Sequence, residues 1–173
     1  MGIHKYKEFS PKFDKSNFIA PGAFVIGRVN LKENASIWFN SVVRADVNSI
    51  TIGKGVNIQD LSMLHVTEEN ALSIADFVSV GHSVILHGCT IEEGCLIGMG
   101  AKILDGAIIG KHSLVAAGSV VPPNKQYPPG VMIMGAPAKV VRKLSPEEIS
   151  SISQHYKSYE SYAKDYLKDP LFK

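Results

Sequence analysis

The chain has 173 residues, enough for one domain with a full core. Its hydrophobic content of 45% and charged content of 20% are those of an ordinary globular protein, and a net charge of +2 without a basic run interleaved with aromatics excludes nucleic acid as an expected partner. No apolar run reaches membrane-spanning length. The opening MGIHKYKEFSPKF has no apolar export core, and position 6 is Tyr where a myristoylation signal needs Ser or Thr. Two cysteines, Cys89 and Cys95, make no disulfide framework, so a reducing cytoplasm is expected.

Residues 1–17 are polar and irregular, with Pro11 as a breaker, and read as a lead-in strand or loop. From Ile19 an aliphatic recurs every six positions: Ile19, Val25, Leu31, Ile37, Val43; then Ile52, Ile58, Leu64; then Ile74, Val80, Leu86; then Ile91, Ile97, Ile103, Ile109, Val115, Val121. Helices repeat at 3.6 and simple strands at 2, so a sustained period of six is neither. It predicts a stacked hexapeptide repeat, a parallel β-helix. Small residues follow many beats (Gly53, Ala75, Gly81, Gly98, Gly110, Ala116), as corners of close backbone crossing require.

The beat slips three times. Val43 to Ile52 spans nine, so RADVNSIT should carry an irregular turn. Leu64 to Ile74 spans ten, so VTEENALS should be a loop thrown out of the coil. Leu86 to Ile91 spans five, a deletion beside His87. Departures from a regular pattern mark functional positions. After Val121 the pattern ends at Pro122-Pro123, and NKQYPPGVMIMGAPAKVVRKL reads as a return strand and linker. Ser145-Pro146-Glu147-Glu148 is a helix start with a capping box. Ile149, Ile152, Tyr156, Tyr159, Ala163 and Tyr166 then share one face, predicting a helix to about Leu167 that packs on the β-helix flank. The expected organisation is a β-helix with its lead-in over 1–144 and a C-terminal helix over 145–173 of the same domain.

Each slip lies close to a polar residue of interest, and three histidines, His65, His82 and His87, are the candidates for one site. With 18 residues per coil, His65 and His82 should stack about one coil apart, where strands lie roughly 4.8 Å from one another. His87 is nearly one side of the triangle away, so one protomer does not easily converge all three. A closed three-fold ring does, which predicts a homotrimer with sites in its clefts. Three neutral imidazoles suit Zn²⁺ with an open fourth position, and Fe²⁺ or Co²⁺ accept the same set. His4, His112 and His155 read as ordinary surface or core residues. Arg44 and Asp46 stand two apart on one side of a strand and read in part as a salt bridge across a subunit seam. Asn57, Gln59 and Asp60 are polar positions in the wall, and they need partners. Cys89, two residues from His87, reads as a buried structural thiol or a redox sensor.

The segments SIWFNSVVRAD, NIQDLSMLHV, VSVGHSVILHGCTI, GMGAKILDGAIIG and MGAPAKVVRKLS resemble the γ-class carbonic anhydrase family, in its bacterial hexapeptide-repeat branch. The order Arg-x-Asp, Asn-x-Gln-Asp, His, then His-x4-His carries that resemblance; the hexapeptide beat alone does not. The resemblance implies a mainly β fold, a left-handed parallel β-helix with a C-terminal helix on its flank, a homotrimer, and a metal at each subunit interface. It implies that His65 and His87 come from one subunit and His82 from the next. It gives Gln59 and Asn57 the orienting of water or substrate, Arg44, Asp46 and Asp60 the interface, and Tyr159 a reach into the site. The implied reaction is reversible hydration of CO2 to bicarbonate. A dication on neutral ligands brings the pKa of bound water to about 7, a value borrowed from the His₃ zinc centre of carbonic anhydrase and not deduced from this chain. Where the family carries a glutamate after Arg-x-Asp, this chain has Val47, and its acidic loop is short, with Glu68 and Glu69. Glu68 is open to two readings, a proton shuttle or a solvated loop residue. Two other functions stay open: a hexapeptide acyltransferase using acyl-CoA, with a histidine as general base, and a non-catalytic metal-binding protein of the same fold.

Overall fold

The computed structural model describes residues 2–170, and residues 171–173 of the C-terminal segment lie outside them. All seventeen beat residues point inward and are buried. They stack in three columns, one for each side of a triangular coil. On the first face Ile19, Ile37, Ile58, Val80, Ile97, Val115 and Ile133 lie in parallel register, each on the next. On the second face the column is Ile3, Val25, Val43, Leu64, Leu86, Ile103, Val121. On the third it is Leu31, Ile52, Ile74, Ile91, Ile109, Tyr127. A fully buried Ile or Leu contributes roughly 1.5–3 kcal/mol, so the columns hold the stack together. Apolar columns of this kind leave the polar ladder groups paired from coil to coil.

The small residues after the beat do what close crossing demands. A Cβ placed on Gly98 would lie 2.5 Å from the Ala117 backbone nitrogen, and one on Gly53 would lie 2.5 Å from the Ala75 carbonyl carbon. Only a hydrogen fits between successive coils there.

Three features differ from the sequence reading. RADVNSIT is not a turn but part of one long strand, Val42–Ile52, that rounds the corner from the second face to the third. Its three extra residues form a bulge: Gly27 pairs with Ala45 and Val29 with Ile50, so one residue faces four. The beat also continues past Pro122-Pro123, because Tyr127 and Ile133 fill the next two inward positions. Tyr127 hid the pattern by being aromatic. Its hydroxyl donates to the Ala138 carbonyl at 2.8 Å, which satisfies the polar end. The return strand Ala138–Lys143 then pairs antiparallel with Val131–Gly135. Third, the C-terminal helix is two segments, α1 (Pro146–Gln154) and α2 (Tyr156–Lys168), joined at His155.

The capping box at Ser145 and Glu148 is formed in both directions. Helix α2 lies on the outside of the first face, where Ala163, Tyr159 and Tyr166 pack with Phe18 and Trp38. The VTEENALS segment is the expected loop, between strands Met63–His65 and Leu72–Ile74, with Thr67 and Asn70 bonded to each other. Asn48 ties it down by donating to the Thr67 and Glu68 carbonyls.

Candidate metal centre

His65 ends the strand Met63–His65, and His87 ends Ile85–His87 one coil below. The two are direct register partners. The expected stack of His65 on His82 is therefore a correction. That coil is longer than 18, since Leu64 and Leu86 stand 22 apart, and the loop after His65 takes up the excess. His82 sits instead on the corner between the first and second faces, two residues past Val80.

The His65 Nδ1 and His87 Nε2 atoms face each other at 3.0 Å. Their outer nitrogens are held by carboxylates: His65 Nε2 lies 3.0 Å from Asp46 Oδ1, and His87 Nδ1 lies 2.6 Å from Asp105 Oδ1. Arg44 completes the row by an ion pair to the other oxygen of Asp46. The bulge after Ala45 is what swings Asp46 toward His65. Burial pushes the Asp46 carboxyl up, but hydrogen bonds from His65 and Arg44 outweigh it, and its pKa lies below the ordinary carboxylate value.

This row has a proton problem with a chemical answer. Each ring donates its outer N–H to a carboxylate. If both rings are neutral, the two facing nitrogens both carry lone pairs. Either a proton is shared between them, making one ring an imidazolium, or a cation takes both lone pairs. Tetrahedral zinc with arms of 2.0–2.1 Å separates its ligand atoms by about 3.3 Å, close to the spacing here. Carboxylate-anchored imidazoles of fixed tautomer are also the usual outer support of metal ligands. The pair fits a divalent cation.

Among the described residues no three His, Cys, Asp or Glu side chains of one chain gather as a metal site. His82 is 44% exposed, and its Nδ1 lies 3.0 Å from Asp60 Oδ2. The same pattern recurs: one imidazole anchored by one carboxylate, here on a half-exposed corner. The His82–Asp60 corner and the His65–His87 pair stand at opposite ends of the second face.

Asn57 and Gln59 lie under the flank of the first face, both buried. Gln59 Nε2 donates to Asn57 Oδ1 at 3.0 Å, and Asn57 Nδ2 donates to Ser79 Oγ at 2.9 Å. The structure joins them to one another, not to the three histidines. Tyr159 packs edge-on against Trp38 at 5.3 Å, and its hydroxyl is pushed up by burial first and then by the charge of Asp60. Val47 is exposed on the bulge beside Asp46. His4 stacks on Phe24, His112 Nδ1 bonds Ser153 Oγ at 3.1 Å, and His155 lies against Tyr159. Cys89 is buried, and desolvation pushes its thiol up to about 12.

Asp105 was not among the residues expected at the site. Its signal was present: it follows the beat residue Ile103 by two, one regular coil of 18 after His87. The aromatic cluster of Trp38, Phe39 and Tyr166 beside Tyr159 was likewise not expected.

Residues 88–123 match the family "Bacterial transferase hexapeptide (six repeats)". The chain is 47% identical over 161 residues to Gamma carbonic anhydrase 2, mitochondrial, of Arabidopsis thaliana, a match covering 90% of this chain and 58% of that protein. It thus spans little more than half the length of that relative. It is 44% identical over 157 residues to Carbonic anhydrase of Geobacillus kaustophilus, covering 91% of this chain and 86% of that one. Among solved structures, a hexapeptide transferase family protein from Anaplasma phagocytophilum superimposes with a TM-score of 0.92 at 37% identity, covering 95% of this chain and 98% of that chain. Among the described residues no helix is long and apolar enough to cross a membrane.

Proposed function

The chain belongs to the γ-class carbonic anhydrase family of hexapeptide-repeat proteins, and on that premise we propose that it hydrates CO2 reversibly to bicarbonate. The observation that carries this reading is the facing nitrogen pair of His65 and His87, each ring anchored from behind by a carboxylate. His65 and His87 of one protomer, with His82 of a sister copy, hold a divalent cation, Zn²⁺ or equally Fe²⁺ or Co²⁺. When bound, that cation supplies a Lewis acid that brings the pKa of a water in the site to about 7.

The chain's own residues do the rest. Asp46, Asp105 and Asp60 keep each imidazole in the tautomer that leaves a lone pair toward the site. Arg44 offsets the charge of Asp46. Gln59 and Asn57, buried and locked together, stiffen the wall beside His82. Tyr159 closes the site on the helix side. Proton exit falls to solvent or to Glu68 on the tethered loop, since Val47 offers no carboxyl.

The homotrimer has its own support. The outward column Phe24, Val42, Met63, Ile85 runs down the second face, between the two half-sites, with Phe24 43% and Met63 37% exposed. An apolar stripe of this kind favours a partner surface. A three-fold ring that covers it brings one protomer's His82 corner to the next one's His65–His87 pair. A reducing cytoplasm suits two buried free thiols.

Elemental analysis of protein purified without oxygen, followed by a CO2 hydration assay and sedimentation on the same sample, tests the reading. A stoichiometric divalent cation, hydration activity and a mass of three chains are expected. His82→Ala should lose the cation; unchanged metal content would rule out the shared site. Acyl transfer is the second reading, favoured by the likeness to a hexapeptide transferase family protein. Metal-independent turnover of acetyl-CoA would select it. A cation held stoichiometrically with neither activity would select the non-catalytic reading.

A further inference from the structure

A cleft of about 390 Å³ opens between α2 and the corner that carries Asp60. Five aromatic rings wall it, those of Trp38, Phe39, Tyr159, Tyr162 and Tyr166, and the remaining lining residues are the carboxylates Asp60 and Asp165. No lining residue carries a positive charge. The rings stand nearly upright on one another: Trp38 with Tyr159 at 85°, Trp38 with Tyr166 at 84°, Tyr159 with Tyr162 at 74°, all with centroids within 5.8 Å. Such edge-to-face packing holds the rings against one another and sets the walls they turn toward the cleft at different angles. Tyr162 is 53% exposed at the mouth of the cleft, whereas Trp38 is buried in the packed cluster at its floor.

The charges agree. Asp60 and Asp165 both face the cleft, and the field of Asp60 is felt at the Tyr159 hydroxyl. The side chains that pair with them, His82 with Asp60 and Lys168 with Asp165, stand outside the lining. An anion such as bicarbonate would be repelled. An ion with many N–H donors is more strongly held by water, and the cleft offers it no charged acceptors beyond Asp60 and Asp165. A cation whose charge is spread over methyl groups gains from both the π faces and the carboxylates.

From this cleft we infer a binding site for a small organic cation with a methylated ammonium head. The inference goes beyond hydration of CO2: none of the three histidines lines the cleft, although it borders the proposed hydration site through Asp60 and Tyr159.

Trp38 is the only tryptophan of the chain, so intrinsic fluorescence reports on this cleft directly. The full chain, as purified and again after chelation, is titrated with choline, with ethanolamine, and with 3,3-dimethylbutanol, the neutral isostere of choline. Saturation transfer to the choline methyl protons gives a second readout that does not depend on Trp38. A saturable response to choline is expected with and without metal, at least about five-fold tighter than either analogue, and Tyr162→Ala should weaken it about two- to five-fold. Equal binding of 3,3-dimethylbutanol would reduce the cleft to a plain apolar pocket and overturn the inference. So would equal or tighter binding of ethanolamine, an unchanged affinity in Tyr162→Ala, or silence in both readouts.

Discussion

Asp105→Asn tests the logic of the proposed metal centre at its least expected member. Asp105 Oδ1 lies 2.6 Å from His87 Nδ1, the short distance of a charge-assisted hydrogen bond. The substitution keeps the size and an acceptor oxygen but removes the charge. It also offers an amide N–H, which can turn His87 to the opposite tautomer and spend its lone pair on the wrong side. Losing an outer partner of a metal-bound histidine costs about 10–100-fold in metal affinity. The pair is about one-third exposed, at 30% and 37%, so water screens part of the effect and the low end applies. We expect about ten-fold weaker binding, about 1.4 kcal/mol. Competition with a chromophoric chelator for Zn²⁺ measures this on wild type and variant. Nitrogen chemical shifts of His87 read the tautomer on the same samples, and the thermal midpoint should barely move because Asp105 sits on an open turn. Equal affinity in the two proteins would refute the anchoring role. A weakened affinity with an unmoved His87 tautomer would refute the mechanism given for it.

Three further outcomes follow from the scaffold. Gly98→Ala places a Cβ 2.5 Å from the Ala117 nitrogen and 2.8 Å from the Val115 carbonyl oxygen, so overpacking should cost about 1–3 kcal/mol in denaturant unfolding, and a loss under about 0.5 kcal/mol would contradict the close crossing. Glu148 is held down from 4.5 to about 2, first by its hydrogen bond from Arg142 and then by the Ser145 amide. A depressed folded pKa stabilises above the unfolded pKa and loses that contribution as pH falls through the folded one. Wild type should therefore out-melt Glu148→Gln near pH 6, with the gap closing between about pH 4.5 and 2; a gap constant with pH contradicts this. Cys89 and Cys95, both pushed up to about 12 by burial, should resist a disulfide reagent at pH 8 in the folded state and react on unfolding. Prompt native reaction of Cys89 would restore its reading as a redox sensor.

The period of six was legible because geometry forbids anything but a buried side chain at each inward position, and the chain meets that demand seventeen times. The capping box was legible for a similar reason: Ser145 and Glu148 act within one turn, so no distant partner can override them. Less could be read where one signal had two meanings. Asp105 stands before Gly106, which has a φ of 68°, and Asp-Gly is ordinary turn chemistry. Only the coil above shows that its carboxylate also meets His87. The RADVNSIT slip looked like a turn because three extra residues have the same count in a turn and in a bulge, and pairing with Gly27 and Val29 decides between them.

The histidine stack shows which ruler applies to a chain of this kind. Counting residues puts His82 about one coil from His65, but register is carried by the inward columns, and loops between faces absorb insertions at small cost. Counting beats gives a different partner: from Leu64 the third beat is Leu86, by way of Ile74 and Val80, and His65 and His87 each follow their beat by one. Asp60 and His82 each follow a first-face beat by two, Ile58 and Val80, so they share a corner. The His65–His87 and Asp60–His82 contacts are therefore beat relations, whereas His65–Asp46 depends on the bulge, and a variant that lengthens the loop after Thr67 should leave the His65–His87 spacing intact. On the proposed reading the two half-sites meet only across two copies, so their contact has no such relation in one chain. That is why a single sequence, however regular, shows two anchored pieces and leaves their meeting to the assembly.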